Sequence, residues 1–210
     1  MLTENTIWHT FAGFLQDYGY TPLPDKKQFR KPFDGGFQSV ILAITPYGKE
    51  YVFEVTLGTR VDMVEDLVYQ FTNGLKGYTP DSNTFATSTG RLLGKRYQRY
   101  TVSTEPVFHA MFNDLVAQFT GRWFAFLDRA TKIDFLNELY NERPLEENTM
   151  VYNQINRCFR GIVLAFLAHN KNYHHINTVY LNYLRQINAP YMIIENYKKL
   201  IAFLDVYSLN

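Results

Sequence analysis

Two carboxylates flank the stretch of this chain whose local structure is easiest to predict. Asp34 precedes an apolar run from Gln38 to Thr45, and Glu54 lies on the alternating run that follows. Two carboxylates on neighbouring strands can hold Mg²⁺, and a lysine shortly after the second would lie near an attacking water. Thr56 occupies that lysine position, and Asp34 falls in an Asp-Gly-Gly turn sequence. Carboxylates that solvate the outer face of a strand are therefore the favoured interpretation.

Glu54 has a candidate structural partner on a later segment, residues 97–102, which alternates in the manner of a strand. Side chains alternate across a strand, so if Tyr100 and Val102 face the core, Arg99 faces outward with Glu54. Opposite charges on facing strands attract each other. We therefore predict an ion pair between Arg99 and Glu54.

The strongest local concentration of charge is the sequence GRLLGKRYQRY, which ends at Tyr100. No acidic residue lies between Asp81 and Glu105. Basic side chains interleaved with tyrosines suit contact with phosphates and bases, and Arg and Tyr are also frequent anchors of protein interfaces. A solvated loop that leads into a strand is the simpler interpretation. The candidate binding residues are Arg91, Lys95, Arg96, Tyr97, Arg99 and Tyr100.

Histidines and the single cysteine indicate no catalytic or metal site. His169, His174 and His175 lack the i, i+4 spacing of a helical metal site, and their Asn-rich surroundings predict a helix end. Cys158 lies in an apolar helical stripe and is predicted to be a small buried residue. The chain has no Gly-x-Ser-x-Gly, phosphate-binding Gly-Lys-Ser/Thr or dinucleotide glycine pattern. We therefore assign no catalytic residue, no metal ligand and no cofactor.

Composition indicates a globular chain with a sizeable core. Of 210 residues, 46% are hydrophobic and 17% aromatic, so the fold needs no metal or disulfide. The net charge of +1, from 21 basic and 20 acidic residues, lacks the basic excess of a dedicated nucleic-acid binder. The single cysteine fits a reducing compartment, and the sequence shows neither a secretory signal nor an apolar run long enough for a membrane span. We expect a cytoplasmic protein.

The elements that must position these residues change in type along the chain. Helical spacing of Ile7, Phe11 and Leu15 predicts a helix from Thr3, its cap, to Asp17. Strands are predicted over residues 28–33, 38–45, 50–57 and 97–102, with Val40–Ile44 buried on both faces and Pro46-Tyr47-Gly48 as a tight turn. A helix follows Gly58, and residues 72–94 are predicted to be the least structured part.

From Ser103 onward the spacing is helical, with Thr104 or Ser103 as a cap and Pro106 in the first turn. Further helices are predicted over residues 122–140, 146–169, 176–187 and 191–207. We predict an α+β fold: a small antiparallel sheet of three to four strands with an N-terminal helix, followed by a C-terminal helical layer or bundle. The predicted parts are a sheet-containing part, 1–102, and a helical part, 103–210, which can form one continuous domain.

Three short sequences follow the predicted first helix in order. Gly19-Tyr20 comes directly after that helix, Phe29-Arg30-Lys31 lies in the first predicted strand, and Glu54-Val55-Thr56-Leu57-Gly58 ends the predicted hairpin. Over about residues 3–71 the chain resembles small bacterial α+β families described as domains of unknown function. Some of these families are encoded near toxin systems and are regarded as immunity proteins. The segment 72–94 and the helical second half of the chain depart from that pattern. The resemblance implies partner binding without catalysis, and it implies no individual functional residue.

These observations leave three function classes. The leading expectation is a non-enzymatic interaction protein that binds a protein partner, in the manner of an immunity protein or regulator. The alternative is a metal-dependent phosphoesterase or nuclease-like enzyme, which needs Asp34 and Glu54 close enough to share an ion. The third is nucleic-acid binding through residues 91–100, which the balanced charge disfavours. The sequence indicates no oligomeric state.

Overall fold

The computed structural model describes residues 1–72 and 81–207. Its elements run in the order α1 (Glu4–Gln16), β1 (Thr21–Leu23), β2 (Gln28–Phe33), β3 (Gly36–Tyr47), β4 (Glu50–Val61), α2 (Asp62–Thr72), β5 (Phe85–Ser88), α3 (Thr89–Leu92), β6 (Tyr100–Val102), α4 (Glu105–Gln118), α5 (Phe124–Arg129), α6 (Ile133–Asn141), α7 (Gln154–Leu167), α8 (Tyr173–Gln186) and α9 (Tyr191–Leu204). A 3₁₀ turn at Pro24–Lys26 precedes β2, and a π-helical turn at Phe119–Trp123 joins α4 to α5. The fold is α+β, as predicted.

Contacts between Cα atoms divide the chain into two compact units that alternate along the sequence. Unit 1 contains Met1–Arg60 and Phe85–Thr131, and unit 2 contains Val61–Thr84 and Lys132–Asn210. The sheet and α1 therefore belong to unit 1, while α2 groups with the C-terminal helices.

Helix α1 forms where its apolar spacing predicts it. The Thr3 hydroxyl caps the helix by accepting a hydrogen bond from the Thr6 N–H at 3.0 Å. On the buried stripe, the Phe11 ring packs edge-on against Phe53 of β4 and Phe112 of α4, with ring centroids 5.9 and 5.0 Å apart. The core of unit 1 therefore contains aromatic side chains from the sheet and from both helices.

The sheet in the described residues has six strands, in the order β1-β2-β3-β4-β5, with β6 also paired to β4. The prediction of three to four strands was wrong because two strands carry weak signals. β1 has only three residues with Pro22 at its centre, and β5 reads Phe-Ala-Thr-Ser. β6 pairs with the first part of β4 and β5 with a later part, so both lie along the edge of β4 opposite β3.

Strand β3 is less buried than its apolar sequence predicts. Leu42 and Ile44 are buried on the core face, but Ala43 between them is exposed. The part buried on both faces lies earlier and includes Gln38 and Ser39. The difference arises because the apolar pattern shows which side chains favour burial but not how far other elements cover each face of the strand.

The β3–β4 hairpin turns at Gly48 and Lys49, and Gly48 has the positive φ, +62°, that the turn requires. Pro46, which we predicted in the turn, lies within β3. The Leu42 N–H donates to the Lys27 carbonyl at 3.0 Å, so even-numbered residues of β3 direct their backbone groups toward β2. Pro46 therefore faces that side beyond the end of the pairing, where its missing N–H costs no ladder hydrogen bond.

The other two strand prolines follow the same rule. Thr21 of β1 lies opposite Arg30 of β2, and the alternation directs both toward each other. Pro22 therefore faces away from β2, and Pro32 faces the β1 side beyond Thr21, the first residue of β1. All three prolines lie where a strand edge is open.

Unit 2 is helical in its described residues, and α7 packs against α2, α6, α8 and α9. Every residue from Arg157 to Ala165 is buried, so neighbours cover this helix all round. It begins at Gln154 and not at residue 146 as predicted. Asn153 caps it, because its Oδ1 accepts hydrogen bonds from the Ile155 and Asn156 N–H groups at 2.9 and 3.1 Å.

Candidate functional site

Residues 85–92 form regular structure, although they lie in the segment 72–94 that the sequence predicts to be the least structured part. Residues 73–80 lie outside the described residues. Phe85–Ser88 forms β5, and Thr89–Leu92 forms α3. Each of these elements has only four residues, so its sequence pattern cannot be distinguished from that of a loop.

A defined cap ends α3. Gly94 takes a φ of +71°, and its N–H donates to the Arg91 carbonyl at 3.0 Å. The Lys95 N–H donates to the Gly90 carbonyl at 2.8 Å, which completes a Schellman motif. Ser88 caps the other end by accepting from the Arg91 N–H at 3.4 Å. Ser88 and Gly94, which cap the two ends of α3, were a signal from which the sequence could have predicted the short helix.

Gly90 lets the chain fold back onto α3. A Cβ atom at this position would lie 2.7 Å from Gln98 Cβ and 2.8 Å from Gln98 N. Only glycine avoids that overlap. The close packing fixes residues 95–99 against α3 and delivers Arg99 to the edge of β4.

Four of the six predicted binding residues are exposed: Lys95, Arg96, Tyr97 and Arg99. Tyr97 is 68% exposed, and the Arg96 guanidinium lies 5.5 Å from its ring centroid. The Lys95 ammonium donates to Gln98 Oε1 at 3.1 Å. These side chains present positive charge and one aromatic ring to solvent.

The other two predicted residues, Arg91 and Tyr100, are half-buried. The Tyr100 ring stacks on Phe53 with centroids 5.3 Å apart, and burial raises the pKa of its hydroxyl. Tyr100 therefore packs against the core, as an inward-facing strand residue does.

The predicted ion pair between Arg99 and Glu54 is confirmed. Arg99 Nε donates to Glu54 Oε1 at 2.6 Å, and this hydrogen bond raises the pKa of the Arg99 guanidinium. Both side chains line a hollow of about 420 Å³ on the outer face of the sheet, together with Ala43, Thr45, Tyr47, Val52 and Phe53. We call this hollow, together with Lys95, Arg96 and Tyr97, the outer surface.

Asp34 and Glu54 do not come together as a metal site requires. Asp34 lies in the turn before β3, at the far end of that strand from Gly48, whereas Glu54 lies near the hairpin turn. The turn at Gly48 and Lys49 places Glu54 about level with Ala43. At about 3.3 Å per residue, Asp34 and Glu54 are therefore about 30 Å apart along the hairpin. Within residues 1–72 and 81–207, no group of three or more His, Cys, Asp and Glu side chains could hold a metal ion.

The histidines and Cys158 lie where their surroundings predict. His169 takes a φ of +49° just after α7, and His174 and His175 are exposed in the first turn of α8. Cys158 is 1% exposed, and burial raises the pKa of its thiol to about 12. A thiol with this pKa is protonated at neutral pH and is a poor nucleophile.

Sequence reasoning missed a buried polar network in unit 2. Arg160 of α7 donates from Nε and Nη2 to the two oxygens of Glu65 in α2, at 2.8 Å each, and both side chains are buried. The Tyr140 hydroxyl donates to the Thr84 carbonyl at 2.6 Å. Arg160, a charged residue inside an otherwise apolar helical stripe, was a signal for a buried ion pair. The pattern does not identify Glu65 as the partner.

Arg157 lines two hollows of about 170 and 360 Å³ in the same unit. Its guanidinium donates to the backbone carbonyls of Tyr140, Arg143 and Glu146, which lie at or after the end of α6. A cation at a helix C-terminus satisfies carbonyls that have no partner in the helix. Arg157 therefore serves as a cap for α6.

In the part of the chain that the structure describes, no helix combines the length and apolar composition needed to cross a membrane. Searches against protein-family models, curated proteins and solved structures find no match for this chain.

Proposed function

We propose that this chain is a non-enzymatic binding protein that contacts a protein partner through the outer surface. The observation that carries the proposal is the exposure of two tyrosines, Tyr47 at 73% and Tyr97 at 68%, beside Arg96 and Arg99. Tyrosine and arginine are enriched among the residues that dominate interface energetics. A tyrosine also loses little conformational entropy when it is held in an interface.

The charge of the surface indicates the chemistry of the partner. Glu54 is already paired with Arg99, whereas Lys95 and Arg96 stand in a stretch of sequence without acidic residues. A partner with acidic side chains would complement them and would associate faster at low salt. The role of an immunity protein or regulator, which acts by binding, fits such a surface and agrees with the resemblance over residues 3–71.

Site-specific photo-crosslinking tests this proposal. Benzoylphenylalanine would replace Tyr97, or Tyr152 as a matched control that is 55% exposed in unit 2. Irradiation of cells that produce the chain should give a discrete crosslinked product from position 97 only. Arg96→Glu should reduce its yield about tenfold or more. Equal products from both positions, or a yield that Arg96→Glu leaves unchanged, would contradict the proposal.

A further inference from the structure

The β3–β4 hairpin continues past β2 and leaves one side of β3 open. Pairing between β2 and β3 runs from Phe33↔Gly36 to Gln28↔Ile41, and the Lys27 carbonyl accepts the Leu42 N–H just beyond it. Strand β3 then continues to Tyr47. Within the described residues, no strand pairs with this side of residues 43–47.

Backbone alternation determines which groups face the open side. Ile44 lies two residues beyond Leu42, so it presents both its N–H and its carbonyl there. Pro46 presents a carbonyl alone, because proline has no N–H. Backbone groups of this kind require hydrogen-bond partners, and water supplies them until another chain does.

A hollow of about 340 Å³ lies beside these groups, and Leu42 and Ile44 form part of its wall. Trp8 and Pro24 add apolar surface, while Glu4, Asn5 and Lys27 complete the lining. The Trp8 ring is stacked on Phe29 with centroids 4.3 Å apart, so this wall is formed in the free protein. The hollow offers a place for one apolar side chain on the core face of the sheet.

We propose that an extended segment of the protein partner adds to β3 as an antiparallel strand at Ile44, with one apolar side chain in the hollow beside Trp8. This inference rests on the proposed function in one respect, that the partner is a protein. In strand addition, backbone hydrogen bonds supply affinity and a side-chain pocket supplies selectivity. Pro46 limits the addition to a short segment, which protects the open edge from long strands of arbitrary sequence.

Antiparallel pairing determines which residues of the bound segment form backbone hydrogen bonds with Ile44. The residue opposite Ile44 points its side chain to the same face as Ile44, and its own N–H and carbonyl bond to Ile44. The apolar residue in the hollow therefore supplies the hydrogen bonds, and the alternate residues direct their N–H groups to solvent. Methylation of backbone nitrogens distinguishes the two sets.

The test uses the ¹⁵N-labelled full chain and a capped peptide of alternating threonine and valine. In the free protein, the Ile44 amide should exchange rapidly with solvent, while the paired Leu42 amide serves as the protected internal control. Addition of the peptide should slow exchange at Ile44 and shift the resonances of Ile44 and of the Trp8 indole. Methylation of the valine nitrogens should weaken binding about tenfold or more, and methylation of the threonine nitrogens should leave it intact.

Equal binding of the two methylated peptides, or loss with the threonine set alone, would overturn the inference. Resonance shifts confined to Arg96 and Tyr97 would also overturn it, while leaving the proposed function standing. Shifts at Ile44 together with failure of the Tyr97 crosslink would instead remove the outer surface as the partner site and retain strand addition.

Discussion

At the scale of single residues, two Glu–Arg ion pairs differ in burial, and therefore in how much stability is lost when one partner is removed. Arg99 and Glu54 lie at the surface, where their side chains are 65% and 35% exposed. Arg160 and Glu65 are 8% and 4% exposed and form a bidentate pair. Water can replace either partner at the surface, but neither buried partner can be removed alone without leaving a charge in the core.

Arg160→Leu should therefore lower the free energy of unfolding by about 3–5 kcal/mol, because it leaves the Glu65 carboxylate buried and unpaired. The double variant Glu65→Leu/Arg160→Leu removes both charges and should recover much of that loss. Urea unfolding followed by circular dichroism measures both. A double variant that is as unstable as Arg160→Leu would show that the unpaired charge is not the cause.

The Cys158 thiol makes a pH-dependent contribution to stability. Burial raises its pKa from 9.0 to about 12, so the native state retains a proton that the unfolded chain releases. The contribution is present below pH 9 and is lost as the pH rises toward 12. The stability advantage of the wild type over Cys158→Ala should therefore shrink across this range in urea unfolding.

At neutral pH, a maleimide should modify native Cys158 far more slowly than the urea-unfolded chain, and equal rates would contradict the burial.

The two pairs also show what the sequence can predict. Arg99 and Glu54 were predictable because alternation within two short strands fixes the face of each side chain. Glu65 and Arg160 are 95 residues apart, and their pairing depends on how α2 and α7 pack. Helical spacing identifies the face of each helix but not the face that it meets.

At the scale of elements, β5, α3 and β6 together form one interrupted strip along the edge of β4. β5 pairs at residues 56–59 of β4 and β6 at residues 51–53, with α3 and the basic residues between them. Alternation over residues 97–102 predicted β6, but β5 and α3 have only four residues each, so neither strand nor helix periodicity could identify them. The candidate binding residues could nevertheless be predicted from composition, because charge and aromatic content need no periodicity.

Gly90→Ala tests whether packing of this strip positions the outer surface. A methyl group at Gly90 would overlap the Gln98 backbone, so residues 95–99 must shift. The variant should lose roughly 1–3 kcal/mol of stability and show altered amide resonances at Glu54 and Arg99. Gly121→Ala is the matched control, because a methyl group there meets no atom within 4 Å and helical alanine is favoured over glycine. If both variants behave alike, close packing at Gly90 does not position Arg99.

At the scale of the whole molecule, chain order and spatial grouping differ. The change from strand to helical spacing near Ser103 predicted the α+β class correctly. The contacts place Val61–Thr84 with the C-terminal helices and Phe85–Thr131 with the sheet. Periodicity is a local property, so it predicts the type of each element but not the unit in which that element packs.

The balanced charge makes a prediction that separates protein binding from nucleic-acid binding. With 21 basic and 20 acidic residues, the chain should elute from immobilised single-stranded nucleic acid at low salt. The variant Arg96→Glu should elute at a similar salt concentration. Strong retention with a steep dependence on salt, abolished by Arg96→Glu, would favour nucleic acid as the ligand of the outer surface.

Pro32 also restricts how β1 can align with β2. Thr21 lies opposite Arg30, and a shift of β1 by two residues would place it opposite Pro32. Such a slip keeps every side chain on its own face, so the apolar pattern does not oppose it. Pro32 opposes it, because the shifted ladder would require an N–H that proline lacks. One residue outside the pairing thus excludes one of the two neighbouring alignments that would keep the side chains of this three-residue strand on their own faces.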